Sequence, residues 1–159
     1  MATIELVTLI FAPRQRCFDL ARSIDLHVAS TARSGERAVG EITSGLLSLG
    51  QEVTWSARHF GVRQRLTSRI TACDPPQHFR DSMVRGAFKR FDHDHFFEER
   101  GGATEMRDVF DFESPLGALG RIADALVLTR YLTGFLVERN EVIKRAAESE
   151  SWRALLPGS

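Results

Sequence analysis

Two histidines and two aspartates stand in a stretch of chain that otherwise alternates apolar and polar residues. His93 and His95 are separated by one residue, so an extended strand places both imidazoles on one face, about 6.5 to 7 Å apart. Continued alternation puts Asp81 and Asp108 on the same face. A sheet that faces only an apolar core has little use for such groups, whereas a sheet that encloses a ligand does. The pattern therefore predicts an interior site with polar groups.

The dipeptide Gly101-Gly102 predicts a two-residue hairpin turn that brings a histidine and an aspartate together. If Arg100 pairs with Ala103, His95 lies opposite Asp108 on the inner face. Such a pair can do acid–base chemistry, with His95 as the general base and Asp108 fixing its tautomer. It can equally be a buried polar pair that only satisfies its own hydrogen bonds. Both interpretations stay open.

Two further turns set the register of the neighbouring strands. One is Phe60-Gly61, and the other is Cys73-Asp74-Pro75-Pro76, where neither proline can donate to a ladder. The predicted cross-strand neighbours are His59 with Val62, Trp55 with Leu66, and Ser68 with Asp81.

The inner face of this sheet is the predicted wall of a binding site. Its apolar candidates are Trp55, Leu66, Phe79, Phe91, Phe97, Met106 and Phe110. Its polar candidates, beside His95 and Asp108, are His59, Asp81, His93 and, on the terminal helix, Arg130. The spacing of His93 and His95 can also clamp a metal ion, but no cysteine or third histidine stands at a suitable spacing. The sequence thus predicts no metal and no other cofactor.

Local patterns predict the elements that carry these residues. Strands are expected over 3–11, 37–43, 52–60, 62–72, 77–84, 87–100 and 103–112, with two short helices after Pro13 and over 24–30. Ser114 as a cap and Pro115 as the first residue predict a long helix to about residue 147, on the order of 45 Å in length. Its apolar stripe comprises Leu119, Ile122, Ala123, Leu126, Arg130, Thr133, Leu136 and Val137.

The connection over 44–50 carries three leucines between Gly45 and Gly50. Leucines flanked by glycines suit solvent poorly and are more mobile than a strand. Leu46, Leu47 and Leu49 therefore either plug the core or form a gate over the mouth of a cavity.

The composition excludes several classes of function. Lysine plus arginine and aspartate plus glutamate number 21 each, so the net charge of zero argues against binding to nucleic acid or anionic membranes. The chain has no run of about 18 to 20 apolar residues that would cross a bilayer, and no signal-peptide pattern. Cys17 and Cys73 lie far apart and suggest reduced thiols. We expect a cytoplasmic protein with one domain over 1–159; its oligomeric state, including a homodimer, stays open.

The order of elements resembles the helix-grip fold of the START-like, or SRPBCC, superfamily, which includes the Bet v 1-like proteins. The motifs that carry the resemblance are Phe11-Ala12-Pro13, Cys17-Phe18-Asp19-Leu20-Ala21, Gly50–Trp55, Phe79-Arg80-Asp81, His93–Glu98, Met106-Arg107-Asp108 and Ser114–Gly117. They are similar to those of a bacterial branch that is sometimes labelled polyketide cyclase-like. The resemblance implies an α+β fold in which a curved, antiparallel, seven-stranded sheet wraps around a long C-terminal helix. It also implies a deep apolar cavity between sheet and helix.

Members of that superfamily bind lipids, sterols, polyketides and other hydrophobic molecules, and some catalyse cyclisation or dehydration. Three functions follow as hypotheses. The first is binding of a small hydrophobic ligand, and the second is a cyclase, aromatase or dehydratase that uses His95 and Asp108. The third is a co-chaperone-like interaction module that uses the loop Leu46–Leu49, which the charge balance favours least.

Overall fold

The computed structural model describes residues 1–115, 117, 118, 124–156 and 158, with backbone alone at 124 and 125. Seven strands form one antiparallel sheet in the order β1-β7-β6-β5-β4-β3-β2, so β2 to β7 follow one another and β1 closes beside β7. The strands are β1 (Ala2–Ile10), β2 (Arg37–Val39), β3 (Glu52–His59), β4 (Val62–Asp74), β5 (His78–Arg85), β6 (Arg90–Arg100) and β7 (Ala103–Glu113). The helices are α1 (Arg14–Ala21), α2 (Ile24–Ser30), a 3-10 turn (Ala32–Ser34), α3 (Thr129–Ala147) and α4 (Trp152–Leu155). Helix α3 packs against β1, α1 and α2.

The β6–β7 hairpin has the predicted register. Arg100 pairs with Ala103, and His95 pairs with Asp108. Gly101 and Gly102 both have positive φ, at 57° and 85°, which a tight hairpin turn requires and which glycine adopts without strain. The pairing of β3 with β4 also agrees, with Trp55 beside Leu66 and His59 beside Val62.

The predicted pairing of Ser68 with Asp81 is wrong. Ser68 pairs with Met83, and Asp81 pairs with Ile70. The difference begins at the turn, because Asp74 pairs with His78, so the connection is residues 75–77 rather than the predicted 73–76. Arg80 instead of Gln77 therefore lies opposite Ala72, three residues along β5, and the register shift between Ile70 and Ala72 takes back one of the three. Strand β4 also runs to Asp74, two residues beyond its predicted end, and β2 ends at Val39 rather than at residue 43.

The C-terminal helix differs in phase from the predicted one. Leu119, Ile122 and Ala123 lie outside the described residues, and residues 124–128 form a π-helical turn ahead of α3. Leu126 and Val137, predicted to face the core, are 65% and 45% exposed. A π turn holds more residues than an α turn, so a periodicity continued through it goes out of phase. The buried residues of α3 are Leu136, Arg139, Asn140, Ile143, Ala146 and Ala147.

Helix α1 covers the centre of the sheet. Phe18 is fully buried and meets Phe79 and Phe97 edge-on, with ring centroids 5.5 and 5.6 Å apart. Edge-on packing is a favoured arrangement of aromatic rings. Cys17, Leu20 and Ala21 are the other buried residues of α1, and together with Met106 they belong to the main core. A second, smaller core comprises Ile4, Phe91, Phe110, Phe112 and Leu136.

The connection over 44–50, which carries the three leucines, forms hydrogen bonds with the turn between α1 and α2. The amide of Leu47 donates to the carbonyl of Arg22 at 3.1 Å, and that of Ile24 donates to the carbonyl of Gly45 at 2.9 Å. Leu47 is 8% exposed and belongs to the main core, whereas Leu49 is 61% exposed. In this conformation Leu47 acts as a plug.

Candidate functional site

A buried polar cluster lies between the sheet and α3. Its buried members are His93 and His95 on β6, Asp108 on β7, and Arg139 and Asn140 on α3, and half-buried Asp81 on β5 joins them. Strand alternation turns the four sheet residues inward, and register makes them neighbours, since Asp81 pairs with His93 and His95 with Asp108. The cluster therefore joins three strands to one helix.

Asp108 is the centre of this cluster. Its Oδ1 lies 3.0 Å from Nε2 of His93, its Oδ2 accepts from Nδ2 of Asn140 at 2.7 Å, and Nη1 of Arg139 is 3.6 Å from Oδ1. The residue is fully buried. Burial alone would raise the pKa of Asp108, but hydrogen bonding from His93 and the proximity of His95 hold it well below its usual range. Asp108 is therefore an ionised carboxylate in the interior.

Two buried polar atoms of the cluster have no hydrogen-bond partner among the described residues: Nδ1 of His95 and Oδ1 of Asp81. His95 is 1% exposed and stacks on Phe79, with ring centroids 4.1 Å apart. Its Nδ1 lies 2.8 Å from Oδ1 of Asp108, but out of line for a hydrogen bond. Oδ1 of Asp81 lies 3.9 Å from Nδ1 of His93. A buried polar atom without a partner costs about 1 to 3 kcal/mol. Since Nδ1 of His95 lies against Asp108, Oδ1 of Asp81 is the atom of the two that marks a place where a ligand atom would bind.

Burial sets the protonation of these two groups. It lowers the pKa of His95 well below its usual range, and the charge of His93 adds to the effect. It raises the pKa of Asp81, against the charges of His93 and Arg139. His95 is therefore a neutral imidazole at neutral pH.

Arg139 and Asn140 are the site residues that the sequence prediction missed. Nη2 of Arg139 donates to the carbonyl of Ala21 at 2.8 Å, at the end of α1, and Nη1 donates to Oδ1 of Asn140 at 3.3 Å. Both residues lie on the apolar side of α3, three and four positions after Leu136 and ahead of Ile143. That spacing was the available signal, because polar residues within an apolar stripe face the interior.

A small cavity lies beside the cluster, with a volume of about 60 Å³. Its lining includes Ala21, Arg22, Ser23, Ile24, His27, Leu47, Val53, Trp55, Ser68, Ile70, Phe79, Asp81, His95 and Arg139. Pockets for drug-sized ligands measure about 300 to 1,000 Å³. The interior is thus far from the deep cavity that the resemblance implies, and a ligand larger than a few water molecules needs side chains such as Leu47 to move.

The predicted wall residues divide among several places. Trp55, Phe79, Asp81 and His95 line the cavity. Phe97 and Met106 lie in the main core, Phe91 and Phe110 lie in the second core, and Leu66 contacts both. His93 stands behind the cavity with Asp108. His59 binds the hydroxyl of Tyr131 at 2.8 Å, apart from the cluster, and Arg130 is exposed.

A larger open groove of about 480 Å³ lies on the outer face of the sheet. It is lined by Val39, Gly40, Thr54, Arg65, Thr67 and Arg85. None of these residues belongs to the buried polar cluster. The outer face also carries a second histidine–aspartate pair, in which Nε2 of His78 lies 2.7 Å from Oδ1 of Asp94.

The fold is that of known proteins. A protein of Thermus thermophilus superposes with a TM-score of 0.70 at 17% sequence identity, covering 92% of this chain and 99% of that one. Major latex-like protein 151 from Panax ginseng gives 0.69 at 18% identity, covering 93% and 98%. A START superfamily protein from Mycobacterium smegmatis gives 0.69 at 10% identity, covering 92% and 97%. The chain therefore has the helix-grip fold of the Bet v 1-like and START proteins, as predicted.

At these identities the comparison establishes the fold and leaves the chemistry to the site itself. No protein-family model and no curated protein sequence matches the chain. Among the described helices, none combines the length and the apolar character that a membrane span needs.

Proposed function

We propose that the protein binds a small molecule with an apolar body and a polar end in the cavity between the sheet and the turn from α1 to α2, to which α3 contributes Arg139. The observation that carries this proposal is the cavity itself, where apolar walls meet the buried Oδ1 of Asp81, which lacks a hydrogen-bond partner in the described part of the chain. Trp55, Phe79 and Leu47 surround the apolar body, while Asp81 and His95 receive the polar end. Binding sites for small molecules commonly combine apolar walls with a few such polar groups.

The chemistry of the polar end follows from Oδ1 of Asp81. Oδ1 of Asp81 is an acceptor that no described donor reaches, so a hydroxyl or an amine on the ligand completes its hydrogen bonding. The apolar body gains about 25 cal/mol for each Å² of surface that it buries. Since the cavity is about 60 Å³, the ligand enters by displacing Leu47, whose loop is held by backbone hydrogen bonds at its ends.

Trp55 provides the readout for a direct test. It lines the cavity and stacks on His27 with ring centroids 4.2 Å apart, whereas Trp152 packs elsewhere against Arg16. In a Trp152→Phe background, Trp55 is the remaining tryptophan. Metal-free protein is titrated with primary alcohols of increasing chain length. The proposal expects a saturable fluorescence change, with affinity rising about fourfold per methylene until the cavity is full.

Two variants locate the polar end. Asp81→Val removes the free acceptor and should weaken alcohol binding by about ten- to a hundredfold, because hydrogen bonds to charged groups contribute about 1.5 to 3 kcal/mol. Ser82→Ala, next to it on the outer face of β5, should leave the affinity unchanged. No saturable change with any alcohol would refute the proposal, and equal affinities in the two variants would refute the assignment of Asp81.

One observation favours a second function, an enzyme of the cyclase or dehydratase type. His95 is a neutral imidazole in the cavity wall, with the carboxylate of Asp108 behind it at 2.8 Å. A general base acts best with a pKa near 7, so the lowered pKa of His95 weakens it as a base and makes ligand binding the preferred function. Exchange of deuterium from solvent into a β-diketone, followed by NMR, tests this chemistry. Exchange that is unchanged in His95→Gln would exclude it.

A further inference from the structure

Asp81, His93 and His95 together have the composition of a metal site. Each offers one ligand atom, and the three atoms lie within 4.8 Å of one another. The pairing of β5 with β6 sets Asp81 opposite His93, and the alternation along β6 brings His95 to the same face. We propose that these three residues bind one divalent first-row transition-metal ion, such as Zn²⁺.

The donor set suits such an ion. Two imidazole nitrogens and one carboxylate oxygen are ligands for zinc, iron, cobalt and nickel. Metal–ligand bonds of about 2.0 to 2.1 Å in a tetrahedron separate neighbouring ligand atoms by about 3.3 Å. Nδ1 of His93 and Oδ1 of Asp81 are 3.9 Å apart, so small side-chain rotations bring them to that distance.

Asp108 supplies the outer carboxylate that metal-binding histidines commonly have. Its Oδ1 lies 3.0 Å from Nε2 of His93, which leaves the opposite nitrogen, Nδ1, facing Asp81. The same oxygen lies 2.8 Å from Nδ1 of His95. A carboxylate behind an imidazole fixes the tautomer and the ring orientation, and increases the basicity of the ligating nitrogen.

The unpartnered carboxylate oxygen of Asp81 gives an independent reason for a ligand at this point. Within the described residues its buried Oδ1 has no hydrogen-bond partner. Since Nδ1 of His95 lies against Asp108, Nε2 is the nitrogen of His95 that is left for a cation, which satisfies the carboxylate of Asp81 and both imidazoles together. The adjoining cavity of about 60 Å³ leaves room for a water molecule or a ligand atom in the fourth position.

The local charge also favours a cation. Asp108 faces Arg139, whose Nη1 is 3.6 Å from its Oδ1, so these two charges offset each other. Among the described residues Asp81 forms no ion pair with an arginine or a lysine; Nδ1 of His93 lies 3.9 Å from its Oδ1, and the charge of Arg139 acts on it from farther away. The three ligands with neutral imidazoles thus present one net negative charge. The proposal of a metal site does not depend on whether the cavity binds an alcohol.

The test uses the full-length chain after dialysis against a chelator. Titration with Co²⁺ should give visible absorption bands that saturate at one ion per chain, and calorimetry with Zn²⁺ should give the same stoichiometry. Asp81→Asn should weaken Zn²⁺ binding by at least about tenfold. Asp108→Asn, which keeps the three ligands and removes the charge of the outer carboxylate, should weaken it by about ten- to a hundredfold, as measured under conditions in which circular dichroism shows the variant folded.

His78→Gln is the matched control, because it removes a histidine that is also paired with an aspartate across β5 and β6, on the outer face. Its Zn²⁺ affinity should equal that of the wild type. Absence of stoichiometric Co²⁺ and Zn²⁺ binding by the wild-type protein would overturn the proposal, as would loss of binding in His78→Gln with retention in Asp81→Asn. Because the alcohol titrations use metal-free protein, failure of one proposal leaves the other to be judged on its own data.

Discussion

Replacing Asp108 by asparagine should destabilise the protein strongly although the shape of the side chain is kept. The change removes the negative charge that accepts from His93 and Asn140 at 3.0 and 2.7 Å, and that faces Arg139 at 3.6 Å. Breaking a buried ion pair by removing one partner costs about 3 to 5 kcal/mol, since the other charge stays buried. We expect a loss of this size, which is a large share of the about 5 to 15 kcal/mol that stabilises a typical domain.

The assay is urea unfolding of metal-free protein at neutral pH, followed by circular dichroism. Asp111→Asn on the same strand is the control, because Asp111 bonds the exposed hydroxyl of Thr3, so its loss should change the unfolding free energy by less than about 0.5 kcal/mol. The double variant Asp108→Asn/Arg139→Met should recover about 1 to 3 kcal/mol, because no unpaired cation remains at this site in the described structure. A loss in Asp108→Asn no larger than that in Asp111→Asn would refute the description of Asp108 as a buried, ionised centre.

Three further predictions concern the core. Leu47→Ala should lower the free energy of unfolding in urea by about 2 to 4 kcal/mol through the space it leaves, and Leu49→Ala, which is exposed, should not. Iodoacetamide should label half-buried Cys73 in the folded protein and label Cys17 only after unfolding, as read by mass spectrometry; equal rates would contradict the burial of Cys17. Burial raises the pKa of Cys17 from 9.0 to about 11, so its contribution to stability is complete below pH 9.0 and is lost as the pH rises through about 11. Urea unfolding of Cys17→Ala should lack that part of the alkaline decline.

Strong local signals predicted the hairpin that builds the site. Gly101-Gly102 leaves one short connection between two alternating strands, so the pairing of His95 with Asp108 follows from counting residues outward from the turn. The pairing of Ser68 could not be found this way. Cys73-Asp74-Pro75-Pro76 marks a turn without showing which residues close it, and the ladder begins at Asp74 and His78 rather than at Ala72 and Gln77. The register shifts in β4 depend on packing, and no single residue type in the sequence signals them.

The helix shows a different limit of sequence reading. The helical periodicity, continued from the start of the helix, predicted that Arg130 faces the interior. In the structure Arg130 is exposed, and Arg139 is the buried arginine. The π turn over 124–128 changes the phase, whereas a count backwards from Ile143 finds Arg139 and Asn140. The volume of the cavity was beyond prediction, because it depends on how the side chains of several elements, Leu47 among them, fill the interior.

The contacts of Arg139 and Asn140 favour one position of α3 along its axis relative to the sheet. Leucine, isoleucine and alanine side chains pack with little directional preference, so an apolar stripe alone would accept a helix that slid along its axis by one turn, about 5.4 Å. Such a slide would take Asn140 away from Oδ2 of Asp108 and Arg139 away from the carbonyl of Ala21. It would leave the buried carboxylate of Asp108 and the buried guanidinium of Arg139 without these partners. We infer that these polar contacts act chiefly by destabilising packings in which α3 is displaced relative to the sheet, so that one packing is strongly favoured.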